Sequence, residues 1–137
     1  MYPEELVIPM AKDLTDFGFE SVKTPEEVQE VLDNKEGTVL LVVNSVCGCA
    51  AANARPAAKA SLGYSKIPDR AVTVFAGVDK AATEKAREYL LPYPPSSPSI
   101  ALFKDGKLVH FIERHHVEGR SAQAIAENLV MAYERFC

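Results

Sequence analysis

Thr38-Val39-Leu40-Leu41-Val42-Val43 is the stretch that most constrains the fold, a continuous β-branched and aliphatic run with no polar alternation. A strand of this kind must be covered on both faces, so it belongs in the middle of a sheet with helices above and below. Through Asn44-Ser45-Val46 it leads to Cys47-Gly48-Cys49, and Ala50-Ala51-Ala52 follow as good helix formers. The run therefore predicts a central strand that delivers two thiols to the start of a helix.

Composition bounds what surrounds that strand. The chain has 137 residues, 47% hydrophobic and 25% charged, enough for one compact core and too little for two, so residues 1–137 are read as a single domain. A formal charge of -4 argues against nucleic-acid binding, which needs basic groups to neutralise phosphates. No apolar run reaches the roughly 18 residues of a membrane span. The acidic start Met1-Tyr2-Pro3-Glu4-Glu5 is unlike a basic signal-peptide leader, so a cytoplasmic protein is expected. Three cysteines are too few, and odd in number, for a disulfide scaffold, and closely spaced thiols in that compartment point to exchange chemistry or metal.

Elsewhere the pattern alternates strand and helix. Leu6, Met10, Leu14 and Phe17 recur at helical spacing up to a stop at Gly18, with Pro9 bending that helix or marking where it becomes regular. Thr24-Pro25-Glu26-Glu27 opens a second helix as a capping box. The helix after the thiols should bend at Arg55-Pro56. A second strand, Val72 to Phe75, precedes Asp79 as cap of a helix from Lys80 to Leu90. Ile100 to Phe103 and Leu108 to Ile112 flank Lys104-Asp105-Gly106-Lys107, a hairpin signal. Ser121 caps a final helix with Ala122, Ile125, Leu129, Ala132 and Phe136 on one face. Parallel strands, then an antiparallel hairpin, with flanking helices and an extra N-terminal helix, resemble the α/β thioredoxin-like fold with its mixed central sheet.

The dithiol carries the chemistry. A thiol at a helix start faces unpaired amides and the positive end of the dipole, which favour thiolate, so Cys47 is the expected nucleophile and Cys49 its resolving partner. One intervening residue closes a ring of roughly eleven atoms, strained enough to predict a relatively oxidising couple, with Gly48 relaxing the backbone. Ser96-Ser97-Pro98-Ser99 lies directly before a strand, where a cis Pro98 would face the nucleophile and Ser97 would offer its main chain to a substrate. Arg55 and Arg114 are candidates for holding an anionic substrate group, against the ordinary default of solvation. Cys137 could resolve a mixed disulfide, pair with another chain or do neither.

Val43 to Ala51, Ala54-Arg55-Pro56-Ala57, Val72 to Gly77, Pro95 to Ser99, Val109 to Ile112 with Arg114-His115, Glu118-Gly119 and the terminal cysteine together closely resemble the bacilliredoxins, over nearly the whole chain. That resemblance implies removal of the small thiol bacillithiol from oxidised protein cysteines, with disulfide isomerase activity also attributed to the family. It gives Cys47 the role of taking the adduct and Cys49 that of resolving it, without a cofactor. S-thiolated proteins would be the partners, and bacillithiol or another low-molecular-weight thiol the reductant. Unlike thioredoxin, the chain has no Trp, and Leu41 stands where a buried carboxylate would lie six residues before the nucleophile.

Two other classes compete. Cys47, Cys49 and the nearby His115 and His116 have the ligand types of a zinc or copper binder or carrier, but adjacent histidines seldom turn to one ion, so no metal site is expected. A redox-responsive interaction module without turnover would need a reactive Cys47 all the same.

Overall fold

The computed structural model describes residues 2–137, and the acidic start is described from Tyr2 onward. Its centre is the strand β2, Thr38–Asn44, buried along its whole length. The other strands are β1 (Glu20–Ser21), β3 (Arg70–Phe75), β4 (Ser99–Lys104) and β5 (Lys107–Ile112), in the order β1-β3-β2-β4-β5. β1 and β3 run parallel to their neighbours, whereas β4 pairs antiparallel with both β2 and β5. β1 has only two residues, too short a segment to stand out by periodicity.

Alternation along β2 divides the core. Leu40 and Val42 face helices α1 (Glu4–Thr15), α3 (Arg55–Ser61) and α6 (Ala122–Phe136), packing with Leu14, Ala54, Ala57, Ile125 and Leu129. Val39, Leu41 and Val43 face α2 (Pro25–Leu32) and α4 (Lys80–Glu88), packing with Val28, Val31, Ala82 and Ala86. Each fully buried Leu or Val contributes about 1.5–3 kcal/mol of transfer free energy, which is why this strand is almost free of polar side chains. No helix among the described residues is long and apolar enough to cross a membrane.

Several local expectations are corrected. α1 runs unbroken through Pro9 but buries Val7 and Leu14, while Leu6 and Phe17 are exposed; Phe19, beyond Gly18, fills the core instead. Gly18 ends the helix with φ +93°, and Phe19 N–H donates to Leu14 O. Thr24 caps α2 by accepting from Glu27 N–H, while Glu27 reaches back to the Lys23 amide and the Thr24 hydroxyl. Asp79 occupies the cap position of α4 without a side-chain capping bond. In α6 Tyr133 is fully buried, its hydroxyl 2.8 Å from Ser61 Oγ, and Phe136 is only partly covered. At the hairpin Asp105 and Gly106 both take positive φ, 52° and 81°, as the Asp-Gly pair requires, and Asp105 Oδ1 accepts from Gly37 N–H.

The register sets up the site. Val43 lies opposite Ser99, so the end of β2 and the start of β4 meet at one edge of the sheet. Ile112 lies opposite Ile100, which brings the short helix α5 (Arg114–Val117) to the same edge. Three segments distant in sequence converge where the thiols emerge.

Candidate active site

Ser45 Oγ accepts from Cys47 N–H at 3.2 Å, and the Cys47 carbonyl accepts from Ala50 N–H at 2.9 Å, so the chain turns from strand to helix at the thiol. The helix begins as a π-helical turn, Ala50–Ala54, in which Arg55 N–H reaches back five residues to Ala50 O. Sequence reasoning puts the irregularity at Arg55-Pro56; the structure puts it just before. Pro56 has no amide to continue the α-helical ladder, and the preceding turn widens to accommodate the change.

Both thiols are free and half-buried, with their sulfurs 2.6 Å apart. Cys47 Sγ accepts from Cys49 N–H at 3.4 Å and from the Arg114 guanidinium, whose Nη2 is 3.2 Å away. These contacts separate the two groups. The hydrogen bond from the Cys49 thiol, helped by the Cys49 and Ala50 amides and the charge of Arg114, holds Cys47 below an ordinary thiol. Burial and the neighbouring Cys47 sulfur push Cys49 up. The pair is therefore asymmetric, with Cys47 the more acidic sulfur and Cys49 the less acidic one.

Arg114 is the residue that joins the converging segments. Its Nη1 donates to Ser97 O at 3.1 Å, its Nε to Glu118 Oε1 at 2.7 Å, and its main-chain N–H points to Ser96 Oγ at 3.4 Å. The Ser97–Pro98 peptide is cis, as is Leu91–Pro92, which sequence reasoning did not single out. Ser97 and Pro98 thus reach the thiols through Arg114; the guanidinium expected to hold a substrate anion also contacts the sulfur itself. Sequence reasoning meets Glu118 only within the Glu118-Gly119 resemblance and with no role; its i,i+4 spacing from Arg114 is the signal that points to this pair.

Arg55 is elsewhere. It is buried, with Nε donating to Asp13 Oδ2 at 3.0 Å and Nη1 to Asn44 Oδ1 at 3.0 Å and Ser45 O at 3.1 Å. A guanidinium so engaged is no substrate anchor; it ties α1, the end of β2 and α3 together beneath the dithiol. Burial opposes the ionised form of Asp13, but hydrogen bonds from Lys59 and Arg55 outweigh it and hold its carboxyl below the usual value. Nothing local in the sequence signals this Asp13–Arg55–Asn44–Ser45 chain.

Gly48 takes no positive φ, and a Cβ there would meet nothing within 4 Å. The backbone relaxation expected of it is not used. What glycine supplies is an uncluttered face beside the sulfurs.

Cys137 lies beside Thr38 and Asp69, at the opposite end of β2. β2 advances about 20 Å between Thr38 and Asn44 at about 3.3 Å per residue, so an intramolecular resolving role is not available to it in this fold. Partial burial pushes its thiol up as well. The metal reading loses its sulfur for a related reason. Among the described residues, the group of three or more potential ligands close enough for one ion is Glu113, His115 and His116, and neither Cys47 nor Cys49 belongs to it. Leu41, in place of a buried acid, is fully enclosed by apolar neighbours.

Comparison with known proteins places this arrangement. A family model described as Disulphide isomerase matches residues 2–137. A Bacilliredoxin of Cytophaga hutchinsonii is 60% identical over 134 residues, covering 98% of each chain. Bacilliredoxin BH1716 of Halalkalibacterium halodurans is 55% identical over 136 residues, covering 99% of this chain and 94% of its own. A reduced thioredoxin pre-protein of Schistosoma mansoni aligns with a TM-score of 0.58 at 19% identity, over 84% of this chain and 97% of its own, which shows the fold alone. Similarity of that depth over the whole chain, with paired thiols at the sheet edge, makes this protein a thiol-disulfide oxidoreductase belonging to the bacilliredoxins of the Disulphide isomerase family.

Proposed function

We propose that the chain removes bacillithiol, or a similar small thiol, from S-thiolated protein cysteines, with Cys47 as nucleophile and Cys49 as resolving thiol. The observation that carries the reading is the asymmetry of the pair: Arg114 Nη2 stands 3.2 Å from Cys47 Sγ, whereas burial and the neighbouring Cys47 sulfur push the Cys49 thiol up. In the first step the Cys47 thiolate attacks the small-thiol sulfur of the mixed disulfide. The old S–S bond breaks, the target cysteine leaves as thiolate and takes a proton from water, and a Cys47–small-thiol disulfide forms. Cys49 then gives up its proton and attacks Cys47 Sγ. The small thiol departs and is protonated, leaving a Cys47–Cys49 disulfide. Two further molecules of small thiol return both cysteines to the reduced state and leave as their own disulfide.

Ser97 and Pro98 border the sulfur and would align an extended target segment, and the bare face of Gly48 would admit it. The same first step on a protein disulfide is the opening of isomerisation, in keeping with the family's description. A cytoplasmic setting, in which the dithiol is kept reduced, suits this cycle.

Mass spectrometry with a bacillithiolated protein tests the sequence of events. Cys49→Ala should retain the adduct on Cys47, whereas Cys47→Ala should leave the substrate untouched. An adduct on Cys49 in the Cys47→Ala protein would reverse the assignment, and no adduct in either variant would sink the reading.

A further inference from the structure

The α5 turn has a second working side. Arg114 points to Cys47, but His116, two residues on, opens into a separate cavity of about 260 Å³ between β5 and α6. Its polar lining is His110, His116, Arg120 and Asn128, over a floor that includes the buried Ile112 and Ile125. No carboxylate lines it, in a chain whose Asp and Glu outnumber Lys and Arg 19 to 15.

The hydrogen bonds fix what these groups can offer. His116 Nδ1 accepts from Glu113 N–H at 3.1 Å, so the neutral ring carries its proton on Nε2 and remains a donor. His110 Nε2 lies 2.6 Å from Asn128 Oδ1 and donates to it, which leaves the Asn128 amide N–H groups free to donate in turn. The Arg120 guanidinium has no carboxylate partner among the described residues. The loop bearing Arg120 is pinned against the helix that follows the thiols, since Asn53 Nδ2 donates to Val117 O and Arg120 O.

We infer that this cavity binds a small anionic group, a carboxylate or phosphate, through His116 Nε2, the Asn128 amide and the Arg120 guanidinium. Its volume falls below the roughly 300–1,000 Å³ of pockets that enclose whole drug-sized ligands, so it suits a free anion or one acidic arm of a larger molecule. Arg supplies the forked donor geometry that such groups fit. The electrostatics agree. Burial, then His115, with further opposition from Arg120 and His110, depresses protonation of His116, while Glu113 favours it. A bound anion would offset those positive neighbours and restore protonation of the ring.

The test is a titration of the reduced protein with inorganic phosphate and, separately, with succinate, following the His110 and His116 ring resonances across pH. The expected result is a saturable shift with a Kd in the millimolar range or tighter, a higher midpoint for His116 in the presence of the anion, and at least a tenfold loss of affinity in Arg120→Gln. Binding of phosphate alone identifies a free-phosphate site; binding of succinate, alone or with phosphate, identifies a site open to an acid-bearing ligand. No saturable shift below about 10 mM for either probe, or unchanged affinity in both Arg120→Gln and Asn128→Ala, overturns the inference. Neither variant touches the dithiol, and their Cys47 alkylation rates should match wild type, so the outcome is independent of the exchange mechanism.

Discussion

Replacing Arg55 with methionine separates two roles that an arginine six residues from Cys49 can play. Arg55→Met removes the donors to Asp13, Asn44 and Ser45 while its unbranched side chain refills most of the space. The losses are unequal. The Ser45 carbonyl, in a residue only 7% exposed, would be left without this donor, at a cost of about 1–3 kcal/mol. Asn44 Oδ1 still accepts from Ser45 N–H at 2.9 Å, so its loss is on the order of 0.5 kcal/mol. Asp13 keeps Lys59 at 2.6 Å and is one-third exposed, which limits its share to about 0.5–1 kcal/mol. The variant should therefore be destabilised by about 2–4 kcal/mol, and with a urea m-value of about 2 kcal/mol/M its midpoint should fall by about 1–2 M. Acid should narrow the gap. Asp13 has a lowered carboxyl pKa in the fold, so its contribution is fully present above the unfolded value near 3.8 and is lost as pH falls through the folded one. Wild type loses that increment in acid; the variant has less of it to lose. A midpoint shift below about 0.3 M, with a weakened KM for an anionic substrate, would refute the structural role and restore Arg55 as a substrate anchor.

Four further outcomes follow from the site. Arg114→Gln removes the guanidinium beside Cys47, so the pH profile of iodoacetamide alkylation should move upward and the rate at neutral pH should fall; an unchanged profile would show that Arg114 does not stabilise the thiolate. Gly48→Ala should stabilise the protein by about 0.4–1 kcal/mol in thermal unfolding, because no positive φ or steric contact opposes the methyl group, while thiol-disulfide exchange with protein substrates slows as the open face fills. A loss of stability would point to a conformational demand at that position. Cys137→Ser should leave turnover within twofold of wild type, and a tenfold fall would require a route from the far end of β2 to the dithiol. The dithiol couple should be more oxidising than the about -270 mV of thioredoxin, as measured against a glutathione buffer, since the ring closed by a single intervening residue is tight.

What could be read from the sequence was whatever depends on neighbours along the chain. Val39 to Val43 declared a doubly covered strand because every side chain in it is apolar, and Asp105-Gly106 declared a turn because two consecutive positive φ angles demand it. The cis bond before Pro98 and the turn from strand to helix at the paired thiols were legible because X-Pro geometry and helix-start preferences are local properties. The reading of Arg55 went astray where tertiary packing decides. Arg55 and Arg114 look alike on paper, each a basic residue near a motif, but the β2–β4–β5 register turns Arg114 onto the sulfur and α1 closes over Arg55 with Asp13, 42 residues away. That distinction bears on how the protein manages without a buried acid at Leu41. Fixed polarity is supplied from two other places: an exposed arginine held beside Cys47 by Glu118, and a buried Arg55–Asn44–Ser45 chain that sets the Cys47 amide. Neither accepts a proton from Cys49 as a carboxylate would, so in the proposed cycle deprotonation of Cys49 falls to water or to the departing small thiol. Resolution rather than the first attack should therefore be the pH-sensitive step. Its rate should rise as pH increases toward the pKa of Cys49, which burial still holds up once Cys47 is tied in the mixed disulfide and carries no charge, while adduct capture by Cys47, titrating lower, levels off first. Rapid-quench measurement of the two steps on one substrate would show the order, and a resolution rate flat with pH would mean that some other group serves as the base.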